Sequence, residues 1–283
     1  MAHVITLLTD FGMSDSYVAQ MKGVLLTRAS GPMQLIDISH QVPPQDVRQG
    51  ARLLHEAAMR FPVGTVHLAV VDPGVGTQRR ILAAEINRRR FVLPDNGLLT
   101  WILEDYPNHC VVRSVENATL WRDDADISST FHGRDIMAPI AAFLACGGHL
   151  SAVGPEATSL VRLERWPTVQ CRDDEMQVFV ESIDRFGNLL TATRPSELGD
   201  FIAQGHGFVQ NRQFWEPITY VQTYGEVAPG CLVALCGSQG HFEIAVVNGS
   251  AARSLGLITG DRIRLRLQRP ASDHETAGNR SGS

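Results

Sequence analysis

Along the first half of the chain, short unbroken apolar runs alternate with segments whose apolar residues recur every three or four positions. Residues 4–9 form the first run, a buried strand that ends at Asp10-Phe11-Gly12. From Asp15 onward, Tyr17, Val18, Met21, Val24 and Leu25 follow helical spacing. Residues 35–38 read as a second strand, and Pro43-Pro44 breaks the chain before a helix that starts near Asp46. Gln49 sits three positions beyond Asp46, as a capping box requires, and Val47, Ala51, Leu54 and Ala58 make the helix's buried stripe. After the stop at Pro62-Val63-Gly64, a nearly all-apolar strand over 65–71 delivers Asp72 into a turn. A hairpin-like pair follows (81–86 and 91–93), then a helix opened by Asp95-Asn96-Gly97, then an apolar helix over 135–144 closed by Gly147-Gly148. This alternation predicts an α/β domain over residues 1–154, with a mostly parallel sheet and helices on both faces.

The pattern lapses over 155–170, which reads as a linker. Beyond it, strand-like runs at 176–184, 189–193, 231–236, 242–247 and 262–267 are separated by Gly-rich turns. They predict a smaller all-β domain over 171–268, barrel-like in form. The polar, Gly- and Ser-bearing segment 269–283 is expected to be a disordered tail.

Composition narrows the function classes. The 283 residues, 44% hydrophobic and 19% charged, fit a soluble globular protein of one large or two medium domains. A formal net charge of -5 gives no electrostatic reason to expect nucleic acid or an anionic membrane as partner. Cys110, Cys146, Cys171, Cys231 and Cys236 form no CxxC pair, so neither a disulfide framework nor a zinc knuckle is suggested. The apolar opening is too short for a signal segment or a spanning helix, and a cytoplasmic location is expected. Lys22 is the only lysine; between Met21 and Leu25 on its helix, solvent exposure is the default for it.

The candidate chemistry lies on loops. In open α/β sheets, ligands bind at the carboxyl ends of strands. Asp10 ends the first strand and is either a turn aspartate or a carboxylate for a ribose diol. Asp15 either caps a helix or binds an ammonium group. Asp72 belongs to a ready turn sequence, Asp-Pro-Gly. Emerging from an apolar strand, however, its carboxylate needs a cation, and Arg79 is the nearest, with Arg80 not separable by spacing. His132, between Phe131 and Gly133, is either a loop histidine satisfied by backbone or a catalytic imidazole. Such a carboxylate, guanidinium and imidazole can abstract a proton and hold the resulting anion, which points to an enzyme.

Two turns of the second half carry similar alternatives. Asp184-Arg185-Phe186-Gly187-Asn188 suits a hairpin turn, or a site where Phe186 stacks a base and Asn188 reads its edge. Gly237-Ser238-Gln239-Gly240 suits a turn, or a loop whose amides hold a carboxylate. No Walker loop or GxGxxG supports ordinary phosphate or NAD binding. Asp10, His40, Asp72, Asp95, His132 and Asp135 would supply enough ligands for a metal-dependent hydrolase, but no HxH, HxxxH or HExxH spacing supports one.

Taken in order, Thr9-Asp10-Phe11-Gly12, Met21-Lys22-Gly23, Val71-Asp72-Pro73-Gly74-Val75-Gly76, Asp95-Asn96-Gly97, Phe131-His132-Gly133-Arg134-Asp135 and Phe186-Gly187-Asn188 resemble the S-adenosyl-L-methionine (SAM) hydroxide adenosyltransferases. These SAM hydrolases are related to the SAM-dependent fluorinase and chlorinase. The resemblance implies an N-terminal α/β domain, a C-terminal β-barrel and a homotrimer with SAM at subunit interfaces. It implies a catalytic triad at Asp72, Arg79 and His132. It further implies ribose binding by Asp10, methionine-ammonium binding by Asp15 and Asp184, and Ser238 near the methionine carboxylate. Asn188 falls on the adenine-reading position, and Phe131 and Phe186 join the substrate contacts. Two positions depart from the fluorinase: Gln45 stands for a tryptophan near the ribose, and Gln239 for an arginine beside the methionine-binding serine. No cofactor or metal is implied. The expected reaction is in-line attack of activated water on C5′, giving adenosine and L-methionine. Alternative readings are a chlorinase-like halogenase, a metal-dependent hydrolase and a non-catalytic SAM or adenosine sensor.

Overall fold

The structure is a computed structural model, which describes residues 3–122, 127–167, 170–172, 174–211 and 214–267. The tail expected over 269–283 lies outside the described residues. The chain divides into two compact units, Met1–Glu164 and Arg165–Ser283.

The first unit is built on strands β1 (His3–Thr9), β2 (Met33–Ser39), β3 (Val66–Val70), β4 (Ile81–Ile86), β5 (Arg89–Pro94) and β6 (Cys110–Ser114), in the order β2-β1-β3-β5-β4-β6. The pairs β1/β2, β1/β3 and β3/β5 are parallel, while β4 runs antiparallel to β5 and β6. Side chains alternate between the two faces, as the period of two in a strand requires. Leu7, Leu68, Val70 and Val92 face a core containing Met21 and Leu25 of α1 (Tyr17–Thr27) and Ile140 and Leu144 of α4 (Ala138–Ala145). Leu8, Ala69, Val71 and Leu93 face a core with Ala51 and Leu54 of α2 (Val47–Ala58) and Trp101 and Ile102 of α3 (Thr100–Asp105). The expected sheet with helices on both faces is present. Its parallel part is β2-β1-β3-β5.

Three local differences have physical causes. Asp46 caps α2 by accepting from the Gln49 amide at 2.9 Å, as read, but Asp95 does not cap α3. Its carboxylate instead pairs with Arg80 and accepts the Val161 amide at 3.0 Å. The apolar helix over 135–144 opens with a single π-helical turn, Gly133–Met137. Pro139 has no amide to give, and the Asp135 carbonyl accepts the Arg122 amide at 2.9 Å instead. Finally, residues 155–164, expected as part of a linker, belong to the first unit and are hydrogen-bonded within it. The Ala157 amide donates to Val112 at 2.8 Å and the Leu163 amide to the Thr100 hydroxyl at 2.9 Å.

The second unit contains β7 (Gln170–Arg172), β8 (Glu175–Ile183), β9 (Leu189–Thr191), β10 (His206–Asn211), β11 (Phe214–Tyr220), β12 (Leu232–Cys236), β13 (Phe242–Val246) and β14 (Arg262–Leu267). Strands β14-β10-β11-β12-β13-β9-β8 form a ring closed by β8/β14 pairing, with β7 paired to β8. Among the described strand pairs of this unit, β11/β12 alone is parallel. Val178, Val180, Val209, Phe242, Ile244 and Ile263 fill the barrel. Short helices α5 (Gly199–Gln204) and α6 (Ala251–Leu255) complete it.

Candidate active site

Thr9 on β1 lies beside Val70 on β3 in parallel register, so Asp10 and Asp72 leave the same edge of the sheet. The loop after β3 is folded on itself. The Val75 amide donates to Asp72 and the Thr77 amide to Gly74, and Gly76 takes a positive φ of 77°. A Cβ on Gly76 would come 2.5 Å from the Ser129 carbonyl, so only glycine lets this loop meet the strand-free segment that carries His132.

This packing brings the three expected catalytic residues together. Arg79 Nε donates to Asp72 Oδ1 at 2.8 Å and to Oδ2 at 3.0 Å, and Nη2 donates to Oδ2 at 2.5 Å. The same Nη2 lies 2.9 Å from His132 Nδ1. A guanidinium only donates, so Nδ1 accepts and the imidazole proton sits on Nε2. Burial holds the His132 pKa below its ordinary value, and the Arg79 charge adds to this against the opposing pull of Asp72 and Asp135. His132 is therefore neutral near pH 7, with Nε2–H as its remaining donor. The spacing ambiguity is also resolved: Arg80 belongs to Asp95, its Nη2 lying 2.5 Å from Oδ2, and it also reaches the Ser159 carbonyl.

Around the triad, Asp10 Oδ2 accepts the Gln45 amide at 2.8 Å, and Gln45 adopts a positive φ of 66°. Phe131 is buried and packs edge-on to Phe11 and Tyr17, with the Arg134 guanidinium 5.0 Å from its ring centre. Asp15 is exposed ahead of α1, where Ser16 rather than Asp15 occupies the cap position. Asp135 is fully buried, and its oxygens take Arg122, Arg134 and the Ser128 amide. Burial alone would raise its carboxyl, but these donors overcome it and hold the pKa at about 2. Among the described residues, no group of three His, Cys, Asp or Glu side chains is arranged to hold a metal ion.

In the second unit, Asp184, Phe186, Asn188 and Ser238 line one cavity of about 860 Å³, together with Tyr224, Glu243 and Arg253. Asp184 is also the staple of its own hairpin. Its Oδ1 accepts the amides of Phe186 and Asn188, and Oδ2 accepts Asn188 Nδ2, each at 2.9 Å. Gly187 is required there, since a Cβ would come 2.0 Å from the Ser250 hydroxyl. The hairpin leaves the Phe186 ring 75% exposed, a large apolar face in a cavity rim. Glu243 and Tyr224 are lining residues that sequence reasoning missed. Tyr224 donates a hydrogen bond to Glu243. Burial and the Asp184 charge raise the Glu243 carboxyl against the pull of that bond. A lone glutamate inside an apolar strand was the available signal.

Residues 5–154 match the SAM hydroxide adenosyltransferase N-terminal domain, and residues 179–264 match its C-terminal domain. The chain is 43% identical over 266 residues to an (R)-S-adenosyl-L-methionine hydrolase of Thermus thermophilus, covering 91% of this chain and 97% of that protein. It is 43% identical over 265 residues to a protein of the same description from Salinispora tropica, covering 92% and 97%. A crystal structure of an uncharacterized conserved protein from Thermotoga maritima superposes with a TM-score of 0.85 at 33% identity, covering 93% of this chain and all of that one.

Proposed function

Because the chain belongs to the SAM hydroxide adenosyltransferase family, we propose that it hydrolyses S-adenosyl-L-methionine to adenosine and L-methionine. The observation that carries this reading is the Arg79 guanidinium shared between Asp72 and His132. Water is a poor nucleophile and needs a proton acceptor and a partner for the developing hydroxide. The single Arg79 Nε hydrogen is shared between Asp72 Oδ1 and Oδ2, and Oδ2 also takes an Nη2 hydrogen, which leaves a lone pair on Oδ1 for the water proton. His132 cannot be that acceptor while Nδ1 holds Arg79, and its Nε2–H instead donates to the water oxygen. The C5′–O bond forms as C5′–S breaks, and the electron pair leaves on sulfur as the neutral thioether of methionine. Charge is cancelled as the sulfonium meets the hydroxide-like oxygen, so a site shielded from water favours the step. A halide has no proton to give, so a carboxylate lone pair at the attack position serves water specifically.

For binding, the reading gives Asp10 Oδ1 to the ribose diol and Asp15 and Asp184 to the methionine ammonium. Ser238 serves the methionine carboxylate, Asn188 the adenine edge, and Phe131 and Phe186 the apolar contacts. Both Asp184 oxygens already serve the hairpin, so its contribution to the ammonium is largely through charge. We further propose a cytoplasmic homotrimer in which the second unit of a neighbouring subunit completes each site. Closed cyclic symmetry repeats one head-to-tail interface around the ring. Pure protein with SAM, with and without EDTA and chloride, tests the reading by product mass. Adenosine and methionine in every condition are expected. Dependence on added metal, or 5′-chloro-5′-deoxyadenosine as main product, would overturn it.

A further inference from the structure

We infer that Lys22, Asp37, His40 and Thr9 form a relay that positions the Asp10 carboxylate for the substrate's ribose, a function that rests on the Asp10 reading given above. The chain's sole lysine is half-buried and paired: Lys22 Nζ lies 2.7 Å from Oδ2 of the exposed Asp37. Asp37 Oδ1 lies 3.0 Å from His40 Nε2, a close but bent approach. His40 Nδ1 is 2.9 Å from the Thr9 hydroxyl, and that hydroxyl oxygen accepts the Phe11 amide at 3.2 Å. The His40 carbonyl accepts the Gly12 amide at 2.7 Å, closing a second tie to the same turn.

The directions of these bonds are mutually consistent. Asp37 Oδ1 can only accept, so its 3.0 Å ion-pair approach favours the His40 proton on Nε2, which leaves Nδ1 to take the Thr9 O–H. Thr9 Oγ1 is then free to accept the Phe11 amide. Burial would raise the Asp37 carboxyl, yet the Lys22 and His40 bonds outweigh it and keep the group ionised. The order Asp37–His40–Thr9 matches that of an Asp-His-Ser triad. Thr9 is nevertheless fully buried and occupied by an amide, so it is no nucleophile.

What the relay grips is the backbone on both sides of Asp10. The Thr9 hydroxyl to Phe11 amide bond spans Asp10 and restrains its dihedrals, and Gly12, at a φ of 67°, is pinned to His40. With Asp10 Oδ2 held by the Gln45 amide, the position of Oδ1 is decided by this turn. Lys22 and His40 therefore act through Thr9 and Asp10 and are positioning residues.

The test is titration calorimetry of the full-length protein with adenosine and with 2′,3′-dideoxyadenosine. Wild-type protein should prefer adenosine by about tenfold or more, the range expected of a hydrogen bond to a charged group. Asp10→Ala should abolish the preference. Thr9→Val should cut the preference several-fold while leaving dideoxyadenosine affinity near wild type, Thr9→Ser should restore it, and Lys22→Met should shift it the same way as Thr9→Val. If Thr9→Val weakens both ligands equally, or leaves the preference intact, the relay is only structural and the inference falls. If wild-type protein shows no preference, or Asp10→Ala retains it, the ribose assignment of Asp10 itself is wrong.

Discussion

At the scale of single residues, Arg79 is the pivot, because one nitrogen serves both Asp72 and His132. Removing any member should cost the chemistry and leave binding largely intact. Asp72→Ala, Arg79→Ala and His132→Ala should each lower kcat by roughly 10²–10⁴, the usual range for positioned acid–base groups. Steady-state kinetics with independent measurement of SAM affinity checks this, and normal turnover in all three would refute the triad. Arg80→Ala should leave kcat near wild type, since its partner is Asp95. Inactivity there with a silent Arg79→Ala would move the assignment by one residue. The histidine also sets a pH limit. Its folded pKa is depressed, chiefly by burial and next by Arg79. Below it, protonated His132 can no longer accept from the guanidinium. The rate should therefore fall on the acid side with an apparent pKa below 6.5, the ordinary histidine value. In Arg79→Gln, residual activity should lose its acid limb nearer to 6.5. A limb that does not move would show that Arg79 does not set the His132 charge.

At the scale of elements, much was legible because runs ending at a carboxylate are a strong pattern. The strands ending at Thr9 and Val70, the α2 cap at Asp46 and the barrel strands β8, β9, β12, β13 and β14 all follow from apolar periodicity and turn residues. Strands β10 and β11 were not read. β11 carries Pro217 and buries only Ile218, so it shows no alternation. Gly207 on β10 meets the Arg266 carbonyl too closely for a side chain, which removes another apolar signal. The π-helical turn was equally invisible, because it follows from the fate of one carbonyl rather than from periodicity. Strand β3 also hides a titratable group. His67 is fully buried beside Thr6 and stacked on Phe91, and desolvation depresses its pKa to about 3, with Arg89 adding to the shift. Its neutral form is the stable one, so the contribution is present above the unfolded pKa near 6.5 and is lost as pH falls toward 3. Between pH 7 and pH 4.5 this one group should remove about 2–3 kcal/mol of stability. Urea unfolding at the two pH values, for wild type and His67→Phe, isolates the term; an equal loss in both would remove His67 from the account.

At the scale of the whole molecule, the candidate residues fall into two groups, each on its own unit. Asp10, Asp72, Arg79 and His132 lie on the first unit, and Asp184, Asn188 and Ser238 line a cavity of the second. The sequence motifs disclosed both groups, but not the Tyr224–Glu243 pair or the Lys22 relay, whose partners are distant along the chain. If neighbouring subunits share a site as proposed, mixing inactive Asp72→Ala and Asn188→Ala proteins under exchange conditions should restore part of the activity. A fully active monomer by sedimentation would refute the shared site, as would proven mixed trimers without activity. The central claim is the transfer of water's oxygen to C5′. Turnover of SAM in oxygen-18 water, followed by mass spectrometry of both products, reads this directly. One heavy oxygen on the 5′-hydroxyl of adenosine is expected, and none incorporated into methionine. Unlabelled adenosine, or label on the amino-acid product, would contradict it.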